Sequence, residues 1–150
     1  MNQSLLGSTL VSLQFGLLAV LTVLSGQQAT LNQVTIAAWV ALTLSLATGL
    51  WALASNRLGN FNIRPTPRVG GNLIQHGPYR WVRHPMYTAV LLFGAACAMT
   101  PGTARAWMLW SLLAVVLTIK AMLEERWMAV AHPSYLAYQT RTKRYLPFIL

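Results

Sequence analysis

Acidic residues are nearly absent from this chain: two in 150, against eleven lysines and arginines, for a formal net charge of +9. Charge of either sign is scarce, at 9% of residues, where a soluble domain carries about 25%. With 55% of residues hydrophobic and a positive mean hydropathy, the composition excludes an ordinary soluble domain and points to one integral membrane domain. The single cysteine, Cys97, lies in an apolar run. It excludes an intrachain disulfide or a cysteine metal cluster and reads as a small buried hydrophobe. A G-x-G-x-x-G turn, a phosphate-binding loop and a nucleophile elbow are all missing. His76, His84 and His132 have no companion carboxylates at metal spacing, so no metal is expected. The N-terminus lacks a basic n-region, so the first apolar run is expected to be retained.

What is present is a series of apolar runs. Residues 5–24 contain no charge and one strongly polar side chain, Gln14. Some 20 helical residues cover the ~30 Å hydrocarbon core, so 5–24 and 34–54 are expected to span it. Residues 55–85 change character, with five arginines among prolines and glycines, and read as a structured loop. A short run, 86–100, and a longer one, 106–123, flank the turn "TPGT" and predict a helical hairpin. The run 86–100 is short for a perpendicular span, which leaves a re-entrant helix as an alternative. The tail, 124–150, reads as interfacial helices with aromatics and cations. The fold class expected is therefore all-α, a membrane bundle of about four transmembrane helices.

The basic residues lie between apolar runs, which disfavours nucleic-acid binding and suits loops facing anionic lipid. With four spans, Arg57, Arg64, Arg68, Arg80, Arg83, Arg126, Arg141, Lys143 and Arg144 fall on one side, and Arg105 on the other. The positive-inside rule then predicts a multi-pass protein with both termini and the long loop cytoplasmic.

Two stretches stand out. In "GPYRWVRHPMYTA", 77–89, Pro85 suits the first position of a helix and His84 its N-cap. The amides and dipole at such a start favour an anion, reinforced by Arg80 and Arg83, with Tyr79 and Tyr87 offering ring faces. An ordinary interfacial belt would use the same residue types. In "KAMLEERW", 120–127, Glu124 and Glu125 are the only acids, placed where the expected end of a span disfavours them, with Lys120 one turn earlier. A solvated pair of Glu125 with Arg126 is the plain alternative. The hairpin would bring the acids beside Arg83–Tyr87. "HPMYTA", 84–89, is echoed by "HPSYLA", 132–137, more as coincidence than as a repeat.

The order "GPYRWVRHPMYTA", "EERWM", "YLAY" and "YLPFI" resembles the isoprenylcysteine carboxyl methyltransferase family, within the broader group of membrane phospholipid methyltransferases. The resemblance covers roughly 57–150. It implies a membrane enzyme that uses S-adenosylmethionine in a cytoplasm-facing pocket, with a lipophilic acceptor entering from the bilayer. By motif, it implies cofactor contacts from Leu73, Ile74, Tyr79, His84, Pro85, Met86, Tyr87 and Glu124, and a substrate contact from Lys120. Two departures weaken the match to the prenylcysteine substrate: Lys120 stands where the family usually has arginine, and "VAHPSY" replaces its usual Phe-Gly element.

The implied function is methyl transfer to the carboxylate of a prenylcysteine-like compound or to another lipid. A carboxylate is already nucleophilic, so alignment and desolvation would do the work, with no acid–base residue. Glu124 would hold the ammonium of the cofactor's methionyl part, and His84 with the helix start its carboxylate. An NADPH-dependent membrane reductase and a non-enzymatic small membrane subunit are the competing readings. Membrane lipids and a lipophilic substrate are the expected partners; no oligomeric state follows from the sequence.

Overall fold

A computed structural model describes residues 3–28, 34–56 and 72–147. It is all-helical: α1 (Gln3–Gln28), α2 (Ile36–Asn56), a 3-10 turn (Gly77–Arg80), α3 (Pro85–Met99), α4 (Ala104–Ala131) and α5 (Tyr135–Arg141). Arg57, Arg64 and Arg68, with most of the expected long loop, lie outside the described residues. Three helices, Leu5–Gln28, Ile36–Asn56 and Ala104–Ala131, are long and apolar enough to cross a membrane. At about 1.5 Å per residue, α3 reaches only ~22 Å, short of a perpendicular crossing.

Helices α1 to α4 alternate in direction. Gln14 on α1 lies level with Lys120 on α4, and Leu21 lies level with Gly94 on α3. The end of α2 meets the turn before α3, because Ser55 abuts Gly77. Helices α1 and α3 therefore run away from one end of the bundle, and α2 and α4 run towards it. The start of α1 and the tail after α4 share that end.

Helix α3 packs against α1, α2 and α4. Its buried positions are small: Ala89, Gly94, Ala95, Ala96, Cys97 and Ala98. Small residues let helix backbones approach closely, which apolar lipid alone would not drive. A Cβ on Gly94 would lie 3.0 Å from Leu113 and 3.2 Å from Trp110. Two side chains tie the backbone of α3 to its neighbours: Ser45 Oγ donates to Ala89 O at 2.7 Å, and Trp110 Nε1 to Leu91 O at 2.9 Å. Leu21, Ala106, Leu113 and Leu117 complete the core with Cys97 and Ala98. Outward positions such as Trp39, Leu46, Leu50, Val115 and Ile119 are exposed and apolar, as a lipid-facing surface requires.

Helix α4 corrects one expectation. It does not end near residue 123 but runs 28 residues to Ala131, since "KAMLEERWMAVA" contains no breaker before His132-Pro133. Its ~42 Å exceeds the hydrocarbon by about 12 Å, enough to carry its last two turns clear of the core. Glu124 and Glu125 consequently sit well before the helix end, and the expected dipole penalty does not apply, because it fades beyond the last turn. The two His-Pro elements also differ. His84 is the N-cap of α3 with Pro85 directly following, whereas His132 caps the C-terminus of α4.

Gly77 has φ +61°, and a Cβ there would collide with Ser55 Oγ and lie 2.9 Å from Ser55 Cβ. Gly77→Ala is expected to destabilise the bundle by about 1–3 kcal/mol through left-handed strain plus the clash. Thermal unfolding in detergent checks this, with Gly16→Ala as the unhindered control.

Candidate active site

The polar cluster forms where the entry to α3, the end of α4 and the tail meet. Extended residues on both sides pair through a parallel β-bridge between Val82 and Lys143. Arg83 N donates to Lys143 O at 2.8 Å, Lys143 N to Trp81 O at 2.9 Å, and His84 N to Arg144 O at 3.1 Å. Side chains extend the closure: Tyr138 Oη donates to Tyr79 O at 2.7 Å, and Thr88 Oγ1 to Tyr145 O at 2.8 Å.

Behind this seam lies Glu125, 5% exposed. Its Oε1 accepts from Arg83 Nε at 2.9 Å and Arg144 Nε at 3.1 Å, and lies 3.2 Å from His84 Nε2. Its Oε2 accepts from Arg144 Nη2 at 2.8 Å and Gln139 Nε2 at 3.3 Å. The Arg144 contact is a bidentate fork, the strong geometry for a guanidinium and a carboxylate. The Arg144 guanidinium is held above its ordinary pKa by that bond, so it stays charged. Arg83 also donates to the carbonyls of Gln139 and Thr142. This removes the plain alternative and overturns one expectation. Glu125 is no solvated partner of Arg126, and Arg83 is committed to protein acceptors instead of forming a wall for an outside anion. A carboxylate buried this deeply needs cationic donors, and these two arginines are within reach.

Glu124, one residue earlier, points elsewhere around the helix. Its Oε2 accepts from Tyr87 Oη at 2.9 Å and lies 3.7 Å from His84 Nδ1, and its side chain is 33% exposed. A carboxylate has about four lone-pair sites, so this one retains accepting capacity. The ring of His84 lies between the two acids and stacks on Tyr87 at 5.2 Å. It thus faces carboxylates of the protein, where the sequence reading had it facing the carboxylate of a ligand.

Pro85 starts α3 as expected. His84 N–H is taken by Arg144 O and Pro85 has none, which leaves Met86 and Tyr87 with the first amides lacking an intrahelical acceptor. Tyr79 is held near the cluster by the 3-10 turn. Burial first, and the Glu124 carboxylate second, push its phenol up to about 12, so it remains a neutral donor. Leu73 and Ile74 stand half-buried in the irregular segment leading to that turn. Lys120, one turn before Glu124, is 1% exposed; its Nζ donates to Gln14 Oε1 at 2.5 Å and lies 5.1 Å from the Tyr87 ring centre. The structure thus gathers Tyr79, His84, Pro85, Met86, Tyr87, Lys120 and Glu124 at one end of the bundle.

Sequence reasoning missed Gln14, Gln139, Thr142 and Arg144 as parts of this cluster. Gln14 carried a signal, as the one strongly polar residue of its span. Arg144 carried only the general need of a buried acid for a cation. Among the described residues no three His, Cys, Asp or Glu side chains are placed to hold a metal ion. An apolar groove lined by Ile36, Trp39, Val40, Thr43 and Leu44 lies on α2, at the end of the bundle away from these polar groups, and offers no comparable chemistry.

A family model described as phospholipid methyltransferase matches residues 35–134. The matched segment runs from the start of α2 to the turn after α4; α1, α5 and the paired tail segment lie outside it. Among curated proteins none matches the chain. The donor set at the site fits S-adenosylmethionine. Glu124 suits an ammonium, the two amides suit a carboxylate, and the tyrosine faces and apolar Leu73 and Ile74 suit a flat nucleoside.

The two acids differ in burial, and their substitutions separate. Glu125→Gln leaves Arg83 and Arg144 facing a neutral amide and is expected to cost about 3 kcal/mol of stability. Glu124→Gln is expected to cost less than about 1 kcal/mol, its partner being a neutral phenol at a part-exposed site. Thermal unfolding of both variants in detergent checks the difference.

Proposed function

The chain belongs to the phospholipid methyltransferase family, and from that premise we propose that it methylates an anionic oxygen of a lipophilic acceptor, a carboxylate of the prenylcysteine kind, at the cytoplasmic membrane face. Members of this family are membrane methyltransferases that use S-adenosylmethionine on a lipid acceptor, which sets aside the reductase and the non-enzymatic subunit. When bound, the cofactor supplies a sulfonium methyl that an acceptor lone pair takes as the carbon–sulfur bond breaks and sulfur keeps the electron pair.

The observation that carries the reading is the division of labour between the acids. Glu125 is consumed by the protein, while the part-exposed Glu124 retains accepting capacity. Glu124 binds the cofactor's ammonium, with Tyr87 Oη orienting its carboxylate. The amides of Met86 and Tyr87, at the positive end of the α3 dipole, receive the cofactor's carboxylate. Leu73, Ile74 and Tyr79 cover the nucleoside. His84 and Pro85 set the geometry of the helix start. Lys120, deeper along α4 by about 6 Å of helix rise, meets the acceptor's negative end. An oxyanion acceptor needs no base, so the residues act by alignment and by excluding water. Exposed Arg80, Arg126, Arg141 and Lys143 surround this end, and their charge supports its cytoplasmic orientation.

The family description names phospholipids, and an amine head group would be a second acceptor. Such an amine must lose a proton before attack, and its ammonium form is repelled by Lys120. The chemistry of the product separates the two. Purified protein with tritiated cofactor and fractionated membrane lipids is expected to yield label released as methanol by mild alkali. An alkali-stable N-methyl product would refute the oxygen acceptor. Glu124→Gln is expected to weaken S-adenosylhomocysteine binding about 10- to 100-fold, through loss of a charged hydrogen bond worth roughly 1.5–3 kcal/mol; calorimetric titration checks this.

A further inference from the structure

A buried polar contact joins α1 to the site. Gln14 is 6% exposed in a helix without a charged residue, and its Oε1 accepts from Lys120 Nζ. Polar groups at membrane depth are costly and tend to mark function. Gln14 is neutral, so it fixes the direction of the ammonium without cancelling its charge. The face of Tyr87 lies against the same ammonium, and the hydroxyl of Tyr87 reaches Glu124. The chain Gln14–Lys120–Tyr87–Glu124 therefore runs from the lipid-embedded part of the bundle to the part-exposed acid.

We propose that Gln14 is a positioning residue for acceptor selection: it holds the Lys120 ammonium, charge intact, towards the anionic head of the lipid acceptor. The inference rests on the reading of Lys120 as the acceptor contact. It assigns to α1 a part in the site, although α1 lies outside the family-matched residues. A glutamate here would pair Lys120 more strongly but oppose the approach of a second anion. A purely structural role tolerates that change; a role in acceptor selection does not.

The test uses the full chain in mixed micelles with S-adenosylhomocysteine, titrated with oleate as a lipid carboxylate and oleyl alcohol as its neutral match. Wild type is expected to prefer oleate. Gln14→Glu is expected to lower that preference about tenfold or more by placing a further negative charge beside the ammonium that the carboxylate meets. The same variant is expected to keep S-adenosylhomocysteine affinity within about twofold and its melting temperature within about 2 °C, so that loss of fold is not the cause. Gln14→Leu, which removes the acceptor atom, is expected to lose part of the preference. Should Gln14→Glu keep the preference while Lys120→Gln loses it, the role of Gln14 is overturned and that of Lys120 stands. Should neither Lys120→Gln nor Gln14→Glu change it, both are overturned.

Discussion

The carboxylate of Glu125 has to be neutralised where it lies, because an uncompensated charge buried among helices costs several kcal/mol. Its partners come from three parts of the chain: Arg83 and His84 before α3, Gln139 on α5, and Arg144 in the tail. Satisfying one acid therefore draws the entry of α3, the end of α4 and the tail to a single point. The backbone pairing of 81–84 with 143–144 follows from that closure and reinforces it. Tyr87, Glu124 and the first amides of α3 take their positions from the same arrangement.

Membrane geometry determines where that point lies. Helix α3 is too short to cross alone and is nested among longer helices, which its run of small buried residues permits. Helix α4 is longer than the hydrocarbon is thick, so its acids escape the apolar core while Lys120 remains packed inside the bundle. The result is a graded site. Towards the end of the bundle it offers a part-exposed acid and helix-start amides. Further in, packed among the helices, lies a buried ammonium. A polar cofactor and a lipophilic acceptor can approach such a site from different phases, the requirement for methylating a lipid with a water-soluble donor.

The legible parts of this molecule were those governed by local rules. Apolar runs marked the four apolar helices, with every end but that of α4 within about four residues, and Pro85 marked the start of α3. The end of α4 was misjudged because hydropathy falls at Glu124 while helix propensity does not; polarity ends a span, but only a breaker ends a helix. That shift removed the dipole argument for the acids. The juxtaposition of Glu124 with Tyr87 followed from the hairpin, yet the commitment of Arg83 to Glu125 could not be read, because adjacent arginines look alike until a buried partner selects one. Family membership added the chemistry that neither helix lengths nor charge counts contain.

By itself the sequence determined that the chain is a helical membrane protein with its cations massed between spans, since hydropathy and charge are properties of residues taken singly or in short runs. It also determined which two carboxylates were available, there being no others. The tertiary structure alone decided which acid is structural and which retains accepting capacity. Glu124 and Glu125 are neighbours in the chain but face different surroundings on the helix, and burial with two guanidiniums depends on segments as distant as Arg83 and Arg144. The pairing of Gln14 with Lys120 was decided in the same way, because it required α1 and α4 to pack side by side.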